Sequence, residues 1–331
     1  MDSDDQSARD RERCAMRRTG FLYDERFLLH QTGPDHPEAP ERLELAYARI
    51  RDSGLLERLV PIPAQRVDEA WVEAVHSPEH IRKLREACAC GLTEFEHPDN
   101  QICEQTFEIA MLAVGGLLEA ARMLMEGQID NAFCAVRPPG HHAETNRAMG
   151  FCYFNNVAIT ARYLQRQWNV KRIAIVDFDV HHGNGTQEIF ERDPDVFFYS
   201  IHEHPSFSFP GTGREFEVGK GAGLGTTMNN PVLPGQGDRK YREMMERHLF
   251  PEMELFSPDF LLVSAGFDGH EDDDMSGMNL TSQGFAWIGK QLLHLADRYC
   301  EGRMICVLEG GYCLERLPEL IQQQVEIQLG V

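Results

Sequence analysis

The residues best equipped for chemistry sit where an apolar run stops. Residues 176–190 read VDFDVHHGNGTQEIF, so Asp177, Asp179, His181 and His182 follow a buried-looking strand before the chain breaks at Gly183 and Gly185. On an extended chain, residues two apart point the same way; Asp177, Asp179 and His181 then share one direction, and Phe178, Val180 and His182 the other. Two ligands one residue apart fix only two corners of a metal site, so a third must come from elsewhere. Asp268, in GFDGH just past the run FLLVSA, is the best candidate. One imidazole and two carboxylates with an open position suit catalytic Zn²⁺, and Fe²⁺ competes because none of the ligands is soft. Strand-end aspartates and histidines often serve only as helix caps, but four gathered at one edge weigh against that role.

Hydrolysis at such a metal needs a base for water and a donor for the oxyanion. His141 and His142 offer the base, in RPPGHHAE where Pro138, Pro139 and Gly140 stop a strand. An adjacent histidine pair alone is weak evidence, since half-buried histidines commonly just hydrogen-bond; it gains weight from its company. Tyr312 follows two glycines in EGGY and could donate its hydroxyl, although an aromatic after a glycine turn also commonly packs. Two other stretches look chemical and read as something plainer. GKGAGLG, from Gly219, has neither GxxxxGK[ST] nor a full GxGxxG and reads as a flexible connection. The acidic residues 271–274 lack the spaced ligands of a Ca²⁺ loop and read as a solvated turn.

These groups have to be held by a scaffold. Short β-rich runs (GFLYD, AFCAV, RIAIVDF, VFFYSI, DFLLVSA, MICVLEG) alternate with amphipathic stretches at 103–125, 155–167, 239–249 and 282–299. That alternation predicts a mostly parallel sheet covered on both faces, an α/β fold in which ligands sit beyond the carboxyl ends of the strands. The strand ends carry RPPGHHAE, DVHHGNG, HEH, GFDGHEDDD and GYCLE, so they converge on His, Asp, Gly and Tyr.

Composition sets the outer bounds. The chain of 331 residues, 42% apolar, can bury one large core, and no linker divides it. Residues 1–18 are almost all polar and are expected to be a disordered lead to a single domain over 19–331. They lack the apolar centre of a signal peptide, and no later segment is a long apolar run, so a soluble cytoplasmic protein is expected. Nine cysteines without paired spacing argue for reduced core residues rather than disulfides. A net charge of −21 weighs against nucleic-acid binding and is compatible with cationic substrates, although it also simply aids solubility.

RPPGHHAE, GFCYFNN, DFDVHHGNGTQ, FPGTG, SAGFDGHEDD and LEGGY occur here in the order found in zinc-dependent histone deacetylases and their bacterial amidohydrolase relatives, and the chain resembles that family from about Gly20 onward. DHPEAPER, starting at Asp35, and the asparagine of HHGNG look closer to its class II members. The resemblance implies the arginase and deacetylase fold, an eight-stranded parallel sheet sandwiched between helices. It implies Asp179, His181 and Asp268 as zinc ligands, His142 as general base with His141 as its electrostatic partner, Asp177 orienting His141, Asn184 beside His142, and Tyr312 as oxyanion donor. Gly150, Phe151 and Phe209 match the walls of a narrow lysyl tunnel, and Gly310 joins them as substrate-binding. A structural K⁺ is implied near Asp177, Asp179, His181, Ser200 and Ile201, partly through backbone oxygens. Asp99, in HPDNQ, stands about where the family often has an acidic rim residue that holds the substrate backbone.

The activity so implied is hydrolysis of an acylated lysine side chain of a protein or peptide. An acetylpolyamine amidohydrolase would keep the chemistry and change the substrate; such relatives usually carry an inserted loop that is not evident here. A binuclear manganese ureohydrolase needs DxHxD-like spacing, and Gly183 stands where its further carboxylate would be. A non-catalytic acyl-lysine-binding scaffold is disfavoured because each matched catalytic position is intact.

Overall fold

The structure is a computed structural model and describes residues 17–331. In chain order its strands are β1 (Thr19–Leu22), β2 (Val60–Ile62), β3 (Glu94–Phe95), β4 (His97–Gln101), β5 (Asn131–Cys134), β6 (Ile173–Asp177), β7 (Val196–Glu203), β8 (Thr227–Val232), β9 (Phe260–Ala265) and β10 (Met304–Leu308). Eight of them form one sheet in the order β2-β1-β5-β10-β9-β6-β7-β8, every neighbouring pair parallel, while β3 and β4 make a separate antiparallel ladder. The expected α/β architecture is therefore borne out. Strands β6, β9 and β10 are buried at every residue, which is why they read as continuous apolar runs instead of alternating ones.

The two strands that the apolar pattern does not announce are the sheet's edges. β2 is VPI and β8 is TMNNPV, and each pairs on one side only. An edge tolerates Pro61 and Pro231 because one row of its backbone groups has no ladder to complete. Among the helices, Ser282–Tyr299 begins at the Thr281 cap, whose hydroxyl accepts from the Gly284 N–H, and ends as its periodicity predicts. The stretch expected to end at Leu249 instead continues through Phe256. A π-turn at Met245–Leu249 precedes Pro251 and lets the helix carry a residue that cannot donate.

Helices cover both faces. Glu41–Asp52, Leu317–Leu329 and Ser282–Tyr299 pack in sequence against one another on one side, and Thr106–Met125 packs with Asn156–Trp168 on the other. Thr106–Met125 is buried along most of its length, so it is apolar nearly all round. No helix among the described residues is long and apolar enough to cross a membrane. Residues 1–16 of the expected lead lie outside the described residues. Arg17 and Arg18 are tied to the body, Arg17 to Asp297 at 2.7 Å and Arg18 to Asp130 at 2.6 Å.

GKGAGLG is a built turn rather than a loose connection. Gly221–Gly223 is a single 3₁₀ turn, the Lys220 N–H donates to the Glu191 carbonyl, and Thr226 Oγ1 donates to the carbonyls of Gly223 and Asp193.

Candidate active site

The carboxyl ends of the central strands bring the chemical residues together. β6 ends at Asp177, and the chain beyond it keeps the alternation: Phe178 and Val180 enter the core, while Asp179 and His181 face Asp268, which follows β9. His181 Nδ1 lies 3.2 Å from Asp179 Oδ1 and 3.1 Å from Asp268 Oδ2, and the three possible donor atoms fall within 4.8 Å of one another, all buried. The glycine of β10's turn makes this crowding possible, because a Cβ at Gly310 would lie 2.1 Å from Asp268 Oδ2 and 2.7 Å from Asp179 Oδ2. Burial works against charge on Asp179, yet His141 and His181 hold it well below the usual carboxylate range; burial and that neighbouring charge push Asp268 up. Two buried carboxylates and an imidazole aimed at one point form a donor set that fits a divalent cation such as Zn²⁺ or Fe²⁺.

His182 does not join them. Its ring is bonded to Thr212 Oγ1 at 2.9 Å and to Gln187 Oε1 at 2.9 Å, on the opposite side of the chain as alternation requires.

The two histidines after β5 have rings 4.0 Å apart and different partners. His141 Nδ1 meets Asp177 Oδ2 at 3.0 Å. Burial alone would lower its pKa, but Asp177, Asp179 and Glu309 outweigh burial and push it up to about 10. His142 Nδ1 meets Asn184 Oδ1 at 2.7 Å, and Asn184 Nδ2 donates to Glu144 Oε1 at 2.8 Å. Because the amide donates toward Glu144, its oxygen faces the ring, His142 Nδ1 must carry the proton, and Nε2 keeps its lone pair. Burial, then the charges of His141 and His181, hold His142 well below the usual histidine range.

Asp99, His142, Gly150, Phe151, His181, Phe209, Met275 and Tyr312 line a narrow cavity of about 160 Å³. Phe209 stands edge-on to His142, at 5.0 Å and 84°, and Phe151 edge-on to Tyr312, at 6.0 Å and 84°. Gly150 and Phe151 are both in the left-handed region, at φ 52° and 68°, and a Cβ on Gly150 would strike the His142 ring. Phe151 is held there by its N–H to Asn100 Oδ1 at 3.0 Å. Asp99 sits exposed on the rim in β4, paired with His97 at 3.1 Å. Gly310 is not a wall of this cavity; its N–H donates to Asp179 Oδ2 at 2.8 Å, behind the candidate metal-binding groups. Ser200 is opposite Asp177 in the β6–β7 register, and Ser200 and Ile201 are fully buried.

Residues 36–328 match the histone deacetylase domain. This chain belongs to the histone deacetylase family. It is 40% identical over 300 residues to a probable deacetylase of Archaeoglobus fulgidus, covering 90% of this chain and 82% of that one. It is 35% identical over 331 residues to histone deacetylase 5 of Arabidopsis thaliana, covering 95% of this chain but 49% of the relative, so it spans about half that protein's length. The crystal structure of the HDA15 HD domain superposes with a TM-score of 0.89 at 36% identity, over 96% of this chain and 89% of that one. The expected family is borne out, and membership supports hydrolytic deacetylation as the reaction class.

Several residues that shape this deacetylase-family site are not singled out by the sequence. Glu309, at the end of β10, accepts from the N–H groups of Gly140 at 2.7 Å and His141 at 3.2 Å and so fixes the histidine loop. Arg42 donates to the carbonyls of Glu309 and Gly311 at 2.6 and 2.7 Å, and its guanidinium lies 4.8 Å from the centre of the Tyr312 ring. Burial pushes the Tyr312 hydroxyl well above its ordinary value, with Arg42 opposing, so it is a donor at neutral pH. The acidic run at 271–274 corrects the expectation of a solvated turn: Glu271, Asp272 and Asp274 are exposed, but Asp273 is buried against the backbone of Tyr312.

Proposed function

We propose that this chain is a zinc-dependent amidohydrolase that removes the acyl group from acylated lysine side chains of proteins or peptides. The observation that carries this reading is convergence: the metal-ligating cluster, an imidazole with a free Nε2 and a protonated tyrosine all open on one narrow cavity. Zinc bound by Asp179, His181 and Asp268 would supply a Lewis acid for the amide carbonyl and acidify water. His142 takes the proton of the attacking water at Nε2 and returns it to the leaving amine. Tyr312 donates its hydroxyl to the oxyanion. His141, kept cationic by Asp177, adds positive charge beside the developing anion. Gly150, Phe151 and Phe209 grip the lysyl methylenes and exclude water, and Asp99 holds the peptide backbone at the rim. A structural K⁺ held through Asp177, Asp179, His181, Ser200 and Ile201 belongs to the same reading, supported by the register and burial of those residues.

The test is acetate release from an acetyl-lysine peptide by purified protein, with chelator and then with zinc or iron restored. Chelator-sensitive turnover recovered by zinc is expected, exceeding turnover of acetylated polyamines. Zinc-loaded protein that releases acetate from neither substrate would sink the reading. Tyr312→Phe is expected to lower kcat by about two to three orders of magnitude; near-normal kcat with metal bound would remove the oxyanion role.

A further inference from the structure

Tyr312 is carried by a backbone with little preference of its own. It follows Gly310 and Gly311, the latter at φ 119°, a conformation open essentially to glycine. Something outside those glycines must therefore aim its hydroxyl. The N–H groups of Tyr312 and Cys313 both donate to Asp273 Oδ2, at 2.6 and 2.9 Å, while Asp273 Oδ1 accepts from the Met275 N–H at 3.1 Å. Asp273 is only 5% exposed, and the hydrogen bonds of its carboxylate come from backbone N–H groups. Three backbone N–H groups are what its buried charge is given.

The same segment is fixed at its other end. The Asp273 N–H donates to the His270 carbonyl at 2.9 Å, and Ser276 Oγ donates to the carbonyl of Asp268 at 2.9 Å. One carboxylate therefore links two walls of the cavity, Tyr312 and Met275, to the segment that carries a metal ligand.

We propose that Asp273 is a positioning residue for the reaction, whose carboxylate sets the Tyr312 hydroxyl in register with Asp268. The inference rests on the reading of Tyr312 as oxyanion donor. An amide of the same shape cannot replace it: its one oxygen can accept from the Tyr312 and Cys313 pair only by turning its NH₂ toward the Met275 N–H, donor against donor.

The test is a double-mutant cycle of Asp273→Asn and Tyr312→Phe on zinc-loaded protein. Asp273→Asn alone is expected to lower kcat roughly tenfold to a hundredfold, with KM for an acetyl-lysine peptide changed less than about threefold and metal content unchanged. In the Tyr312→Phe background the same change is expected to cost less than about threefold, because no hydroxyl remains to be aimed. Additive losses, or loss of metal at an intact fold, would overturn the inference. If Tyr312→Phe itself turns over normally, it is the oxyanion reading that fails; a loss there with additivity removes the positioning role alone. A measurement on wild-type protein stands apart from any folding defect: the Tyr312 and Cys313 amides are expected to resist hydrogen exchange, and exchange at the rate of exposed loops would overturn the anchor.

Discussion

His141 and His142 are neighbours of one residue type, both buried, and their partners drive them apart. A carboxylate faces His141 and keeps it cationic; an amide oxygen faces His142 and leaves burial to keep it neutral. The sign of the pH dependence follows. With its pKa held below the ordinary histidine value of 6.5, His142 is already unprotonated at neutral pH, and kcat/KM should begin to fall only at more acid pH. Asn184→Asp places an anion against Nδ1, favours the imidazolium and should move that acid limb upward by about one unit or more. Profiles recorded from about pH 5 to 9 would decide it. Superposable acid limbs in the two proteins would show that Asn184 does not set the proton affinity of His142. The place of His142 in the cavity was legible from the sequence only through its company; the tautomer was not, since it depends on Glu144 holding the Asn184 amide. Asp273 was hidden for a different reason. In a run of like residues, nothing local distinguishes the one that turns inward.

The elements show the same division between what is local and what is long-range. The buried central strands and the helix at Ser282–Tyr299 were readable because apolar runs and caps are written in adjacent residues. The edge strands β2 and β8 escaped because pairing on one side asks little of their sequence. The charged cluster behind Tyr312 escaped because its members lie far apart in the chain. Glu38 is fully buried, accepting from Arg42 at 3.0 Å and from Arg137 at 2.5 and 2.8 Å. Burial opposes its charge, but the Arg137 guanidinium, a hydrogen bond from His30 and the charge of Arg42 together outweigh burial and depress its pKa. A depressed carboxylate adds stability above its unfolded value of 4.5, which is lost as pH falls toward the folded one. Glu38→Gln would leave two buried guanidiniums uncompensated and should cost about 3–5 kcal/mol in urea unfolding at neutral pH. A cost below about 1 kcal/mol would mean that other carbonyls satisfy Arg42 and Arg137 without it. Because Arg42 also bears on the Tyr312 ring, the variant should lose activity before it unfolds.

At the scale of the whole molecule the dominant quantity is a net charge of −21. Part of it is gathered at the mouth of the site. A shallow cavity of about 560 Å³ shares Tyr312 with the tunnel and is walled by Gln31, Asp35, His36, Glu41 and Leu314 among others, with no lysine or arginine. Asp35 and Glu41 are exposed, and Asp99 stands on the tunnel's own rim. A field of one sign around a cleft raises the local concentration of oppositely charged ligands, and salt removes that advantage as the Debye length shrinks to about 10 Å at 0.1 M and about 3 Å at 1 M. Acyl-lysine peptides with flanking Arg or Lys should therefore have higher kcat/KM than matched neutral peptides at low ionic strength, and the gap should close as salt is added. Most of the difference should appear before kcat, since the field acts on encounter and not on the amide. Asp35→Asn with Glu41→Gln should shrink the gap without changing turnover of the neutral peptide, because neither residue belongs to the cluster of Asp179, His181 and Asp268. Equal salt responses for cationic and neutral peptides would mean that the charge keeps the protein dispersed and plays no part in selecting what enters the tunnel.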